Sequence, residues 1–281
     1  TTDVTSAVKG QRVAANISLD LKKVSRGAWL IDPALANLIT RVDVKLKLLD
    51  TATTLHSGSH YHLHIGASHR LITLHCLNKE ARLYQLKLNE PLVCQFGDRF
   101  VIRDPASQHT IGGGLVLDTF VPRRQRASED RLAYLQALDA YDDDALGKLL
   151  TSQSRGVEMS QFSVCRNLSD EYVAALIKRI NTDVEILKTS NSDYPILLGA
   201  KFFGVYRATV INGVNKFQQA NPSQQGISEP ALSSNCDIPG DYRLFLSIVA
   251  RLIENGELKR SGTLLHTPGH TTVLSREQQE F

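Results

Sequence analysis

The 281-residue chain contains no Gly-x-x-x-x-Gly-Lys-(Ser/Thr) motif, so no phosphate loop of that kind is available to cradle a nucleoside triphosphate. Asp237-Ile238-Pro239-Gly240 imitates the Asp-x-x-Gly of a nucleotide switch, but without that loop it reads as a turn before a helix. Cysteine is sparse: Cys76, Cys94, Cys165 and Cys236 form no Cys-x-x-Cys pair, and their spacings fit neither a zinc site nor a disulfide framework. Reduced, mostly buried thiols in a cytoplasmic protein are expected. No apolar run approaches the length of a membrane span and no signal peptide is visible, so no membrane partner is expected. Cys94 or Cys165 could be paired on paper with one of nine histidines as a nucleophile, yet no local signature supports it. The net charge of +3 is too small to mark a nucleic-acid binder, so the placement of the basic residues has to decide.

What is present is organised around Gly97–Asp104 and its continuation Thr110-Ile111-Gly112-Gly113-Gly114. The first part predicts a strand entered from a Gly-Asp turn, with Phe100 and Ile102 on one face and Arg99, Val101 and Arg103 on the other. Asp104-Pro105 ends it, because proline restricts the preceding residue and lacks an amide donor. The three glycines are expected to form a loop with positive φ or a close approach to another molecule. From Thr40 to Leu49 apolar and polar residues alternate, with Val42, Val44, Leu46 and Leu48 inward and Arg41, Asp43, Lys45 and Lys47 outward. Further strands are predicted over 59–66, 70–77, 80–89, 99–103 and 114–120, at the spacing of a small antiparallel barrel. Two earlier strands are predicted over 10–19 and 25–31.

The barrel block ends at Val121-Pro122-Arg123-Arg124-Gln125-Arg126, which reads as a basic linker. Beyond Ser128 the apolar period lengthens to that of helices. Helices are predicted from Ser128 (stripe Leu132, Leu135, Leu138), over 142–152, 159–165 and 169–181, then strands over 184–188 and 195–199. The order repeats: a helix over 203–221 with Val205, Thr209 and Phe217 periodic, a short helix at Gly226–Glu229, a helix over 241–255 closed by Gly256, and a hairpin turning at Ser261-Gly262. Two three-helix units, each closed by a hairpin, read as tandem winged helices. The fold class is thus an antiparallel β-barrel followed by tandem α+β winged-helix domains.

His60, His62 and His64 share one strand face, with His69 and His75 on the next strand. The outer pair would lie ~13 Å apart, which is too far for one metal ion to take all three. A solvent-facing or RNA-facing strand is the expected role, and no metal is expected. Arg99 and Arg103 fit either a barrel-face ion pair with Asp98 or Asp104 or a phosphate contact, and Arg123, Arg124 and Arg126 fit a solvated linker or RNA contact. Lys259, Arg260, Arg243 and Arg251 on the second wing and its helix are either a solvated face or a nucleic-acid contact.

The literal residues resemble the EF-Tu-type translational GTPases. Gly10-Gln11-Arg12-Val13-Ala14 with Arg26-Gly27 resembles the close of their second domain, although Ala28 stands where an acidic residue is usual. His64–Ser68, Gly97–Asp104, Thr110–Gly114 and Pro122-Arg123-Arg124 resemble their third. Barrel, basic linker and winged helices in this order resemble the selenocysteine-specific members. The resemblance implies a remnant of domain two over 1–32, a domain-three barrel over 33–121, winged helices over 122–200 and 201–270, and the start of a truncated element over 271–281. It implies a middle piece of a longer, monomeric, cytoplasmic factor. That piece would be non-catalytic, with GTP and Mg²⁺ belonging to the full-length family and no cofactor here. The implied partners are selenocysteinyl-tRNA, the ribosome and, through C-terminal domains absent from this chain, a messenger-RNA hairpin. Arg12 would sit at the aminoacyl pocket; Gly112, Gly113, Gly114, Arg103, Arg123, Arg124 and Arg126 would contact tRNA. A winged-helix nucleic-acid adaptor and a protein-interaction scaffold fit the same features.

Overall fold

The computed structural model describes residues 4–271 apart from 9, 21, 23, 25, 50–54, 107–108, 181–182 and 190–191. Six strands close into a barrel: β1 (Ile39–Leu48), β2 (His60–Ile65), β3 (Ser68–Asn78), β4 (Leu83–Leu92), β5 (Arg99–Arg103) and β6 (Thr110–Asp118). Their order round the barrel is β1-β4-β3-β2-β5-β6, and the pairings that close it are antiparallel. Alternation sends Val42, Val44 and Leu46, Leu63 and Ile65, Ile72 and Leu74, Phe100 and Ile102 into one core. β5 opens at Gly97, whose φ of +82° suits glycine, while the Asp98 carboxylate accepts from the Gln95 amide at 2.9 Å. It closes at Asp104, whose carboxylate accepts from the Ala106 amide at 2.8 Å.

The expected glycine loop is a strand. Gly112, Gly113 and Gly114 lie in β6, opposite Leu48, Lys47 and Leu46 of β1 and Ile102, Val101 and Phe100 of β5. None of the three has a positive φ. A Cβ at Gly112 would stand 2.5 Å from the Lys47 carbonyl oxygen and one at Gly113 2.7 Å from that of Phe100. One at Gly114 would strike the Lys45 carbonyl oxygen and lie 2.8 Å from Phe100 Cζ. These glycines therefore serve close approach to neighbouring strands as the barrel shuts.

The strands expected over 10–19 and 25–31 do not form among the described residues there, which lie almost entirely exposed in irregular backbone. Two strands without a sheet have nothing to pair with or pack on. Residues 26–29 dock on the β2–β3 turn instead: Ser68 Oγ donates to the Gly27 carbonyl at 2.5 Å, and the Trp29 ring covers Gly66. Residues 33–35 form a short 3₁₀ turn.

The helical part follows at once. α1 (Glu129–Leu138), α2 (Asp142–Ser152), β7 (Val157–Glu158), α3 (Met159–Arg166), α4 (Asp170–Arg179), β8 (Val184–Thr189) and β9 (Ser192–Gly199) make the first winged helix with an added leading helix. α5 (Ala200–Ala220), β10 (Ile227–Ser228), α6 (Glu229–Asn235), α7 (Tyr242–Glu254), β11 (Lys259–Ser261) and β12 (Leu264–His266) make the second. Their sheets, β7-β9-β8 and β10-β12-β11, share one topology. Ser128 and Ser169 cap α1 and α4 by accepting from Arg131 N and Tyr172 N; Asp241 caps α7 by accepting from Arg243 N and Leu244 N. Gly256, at φ +74°, follows the end of α7, and Gly262, at φ +61°, turns the last hairpin. Val205, expected in the stripe of α5, is exposed; the buried face runs Phe203, Tyr206, Val210, Val214.

The joints are packed. Leu77, Leu83 and Leu117 point outward from the barrel into one core with Leu135, Leu138 and Leu146 of the first helical unit. Leu187, Ile196 and Leu198 of the first wing share a core with α5 and α7 of the second unit.

Candidate nucleic-acid interface

Alternation leaves one face of each barrel strand outward. On β2 and β3 it presents His60, His62, His64, His69, Leu71, Thr73 and His75; on β5 it presents Arg99, Val101 and Arg103. Cross-strand register brings His64 opposite His69 and Val101, and His62 opposite Arg103. The His64 and His69 rings stack at 6.0 Å, and His62 and His69 tilt together at 6.4 Å. His62 Nδ1 is buried with no hydrogen-bond partner among the described residues. Partial burial pushes the His64 pKa down, followed by the charge of Arg103 and the neighbouring His69 and His62.

A second basic cluster lies along the same sheet. His75 is likewise pushed down, first by burial, then by Arg126, Lys87 and Arg41. Arg126 of the linker thus reaches the barrel face, while Arg124 lines a cleft of about 260 Å³ with Arg155, Glu158 and Arg131, and Arg123 is exposed. Among the described residues, Arg41, Lys87, Arg99, Arg103 and Arg126 make no ion pair, and the Asp98 and Asp104 carboxylates beside them each accept from a backbone amide. Among the described residues, Asp43 of β1 is fully buried, and the exposed Glu90 of β4 lies 3.5 Å from Arg70 rather than against these five cations. The face is therefore rich in cations that no ion pair engages.

Asp43, expected on the solvent side, is buried because α1 covers that part of the barrel. Arg131 of α1 donates to Asp43 Oδ2 at 3.1 and 2.5 Å and to Asp118 Oδ2 at 2.7 Å; Gln85 Nε2 donates to Asp43 Oδ1 at 3.1 Å. Burial pushes the Asp43 carboxyl up despite Arg131, since one guanidinium serves two carboxylates. Arg166 of α3 closes the same joint: its guanidinium lies 3.8 Å from the Phe96 ring centre and 4.9 Å from that of Phe162, and it donates to the Leu138 and Ala140 carbonyls and to Asp142. Lys45 pairs with Asp139 beside it.

The recognition-type helices of both winged units are committed elsewhere. Arg243 and Arg251 of α7 bond Glu158 at 2.8 Å and Glu185 at 3.1 Å in the first unit, and Arg260 of the wing bonds Glu229. α4 starts with Asp170 and Glu171, and its Arg179 pairs with Asp143. Cys94, Cys165 and Cys236 are buried, Cys76 is exposed, and all four are free thiols. Burial pushes Cys165 up to about 11 and Cys94 further still, which leaves both as poor nucleophiles at neutral pH. No group of three or more metal-type ligands converges among the described residues.

Of the residues singled out in the sequence, Arg103 and the three glycines meet on adjacent strands, and Arg126 joins the same sheet from the linker. Arg12 is exposed in the leading segment with no side-chain contact to the others among the described residues. Lys87 has no local signal, Arg41 stands out only as an outward residue and His75 only among the strand histidines; basic residues at outward positions were the available signal.

A closed barrel with a cation-rich outer face, packed against the first of two winged helices in tandem, places the chain in the class of elongation-factor barrels with a winged-helix extension. A family model described as "Selenocysteine-specific elongation factor, beta-barrel domain" matches residues 39–123, and one described as "Elongation factor SelB, winged helix" matches residues 211–266. The chain belongs to the selenocysteine-specific elongation factor family. It is 26% identical over 276 residues to the selenocysteine-specific elongation factor of Escherichia coli (strain K12), covering 98% of this chain and 43% of that protein. Proteins of the same name from Haemophilus influenzae and Desulfomicrobium baculatum are each 21% identical, covering 97% and 96% of this chain and 44% of their own lengths. The chain thus spans less than half the length of these relatives. A crystal structure of bacterial selenocysteine-specific elongation factor EF-Sec shares the fold, with a TM-score of 0.63 at 18% identity over 89% of this chain and 38% of that one.

Proposed function

We propose that this chain supplies the RNA-contacting barrel and the spacer arm of a selenocysteine-specific elongation factor, which brings selenocysteinyl-tRNA to the ribosome at recoded UGA codons. The observation that carries it is the cation-rich outer face of the barrel, where Arg41, Lys87, Arg99, Arg103 and Arg126 make no ion pair among the described residues. Arginine forks of this kind suit phosphate oxygens. The winged helices, with α7 paired to the first unit and α4 acidic at its start, serve as a strut toward an mRNA-hairpin binder rather than as readers. Gly112 to Gly114 keep the β6 backbone low beside this face. In this reading GTP and Mg²⁺ belong to another part of the family's architecture.

Binding of an unmodified tRNA transcript tests this. Affinity should fall steeply with salt, and Arg99→Ala with Arg103→Ala should weaken it and reduce the slope of log K against log salt by about 1 to 2. Salt-insensitive or absent binding would favour the scaffold reading; preference for duplex DNA would favour an adaptor. We further propose that Arg12 favours the selenolate over a serine hydroxyl, because its guanidinium is a permanent cation. In a full-length factor, Arg12→Ala should lower discrimination against seryl-tRNA.

A further inference from the structure

We propose that His62, His64 and His69, together with Arg103, form a proton-dependent phosphate grip, so that the barrel holds RNA more tightly as pH falls through the imidazole range. The proposal rests on the RNA-binding reading above and concerns how that face is regulated.

Three imidazoles meet on adjoining strands, with His69 within 6.0 Å of one ring and 6.4 Å of the other. Arg103 faces them from β5, in register with His62. The groups acting on His64 are all basic: Arg103 from β5, His69 from β3 and His62 on its own strand. Arg99 lies further along β5, and Lys47 is outward on β1 beyond β6; Arg70 is engaged with Glu90, 3.5 Å away. His60, at the other end of β2, shares a hydrogen bond with Thr73 at 3.3 Å. Among the described residues, no carboxylate acts on His64, and His62 Nδ1 has no hydrogen-bond partner.

Such a cluster is poised in one direction. With no anion present, partial burial, and after it the neighbouring Arg103, His69 and His62, hold His64 neutral at a pH where a solvated imidazole would already be partly charged. A phosphate seated between Arg103 and the three rings reverses the balance, because an opposite charge favours the protonated form. Binding then takes up protons, and each linked imidazole can tighten it by up to about tenfold per pH unit. The spacing also limits the ligand. His69 and His75 end the two basic clusters on β3, six residues and so roughly 20 Å apart. That suits a stiff duplex backbone touching two points better than a single contact.

The experiment measures affinity of the whole chain for an unmodified tRNA transcript at pH 6.0 and 8.0, at one ionic strength. Wild type should bind at least about tenfold more tightly at pH 6.0. His62→Gln/His64→Gln/His69→Gln should bind as wild type does at pH 8.0 and lose most of the gain at pH 6.0. His69→Gln alone, at an exposed position, should lose part of it, and covers the case in which the triple variant folds poorly. If the variants keep the wild-type ratio between the two pH values, the grip is wrong while the RNA-binding reading stands. If wild type binds at neither pH, that reading falls and takes the grip with it.

Discussion

Arg131 holds the barrel to the arm through three hydrogen bonds to two carboxylates. Arg131→Ala would strand Asp43 and Asp118 in a buried site, at a cost of about 3–5 kcal/mol at neutral pH, to be read from urea unfolding. Asp43 itself gives a pH signature. Its carboxyl is raised in the folded state, so the folded chain binds that proton more tightly than the unfolded one. The stability this lends is fully present below the ordinary carboxylate pKa of ~3.9 and is lost as pH rises through the folded value. Asp43→Asn keeps an acceptor for Arg131 and does not titrate; relative to wild type it should gain stability from pH 4 upward, measured by urea unfolding across that range. Gly114 is sensitive for a different reason. Gly114→Val would drive a side chain into the Lys45 carbonyl and the Phe100 ring, and about 1–3 kcal/mol or more of stability should go.

At the scale of the element, the cap of α7 is the cleanest test. Asp241→Ala removes the acceptor for two backbone amides and should cost ~1 kcal/mol, visible as a lower unfolding midpoint with an unchanged denaturant slope. α2, β5 and the last hairpin were readable because their signals are local: Asp142 and Ser152 bound an apolar stripe, Gly97 and Pro105 bracket an alternation, and Gly262 supplies a left-handed turn. The first half of β6 is hidden because three glycines resemble a loop to any local rule, while their cause is a neighbouring carbonyl across the barrel. Asp43 was placed outside for the same reason: alternation tells which side a residue faces, and only tertiary packing tells what covers that side. The segment 10–19 carries a strand pattern that the structure leaves unpaired. Of the candidate interface, Arg103 and Arg126 were legible singly; that they share a sheet with His75 and Lys87 depends on register no short motif encodes.

For the whole molecule, the shared core sets how it comes apart. Leu117 points from the barrel into the helical unit and is 1% exposed. Leu117→Ala should cost about 2–5 kcal/mol and lower hydrogen-exchange protection in β6 and α1 together, because neither side can lose the contact alone. Protection falling on one side only would show that the two parts open independently. The paired charges between α7 and the first wing contribute little by comparison, since they are partly exposed.

The passage from β9 to α5 has no residue to spare: Gly199 ends the strand and Ala200 begins a helix of 21 residues, roughly 32 Å long. Such a segment behaves as a threaded rod. Lengthening it by one residue would extend it by about 1.5 Å and swing everything beyond it through about 100°. The heading of the distal unit is consequently far more sensitive to insertions in α5 than its reach is.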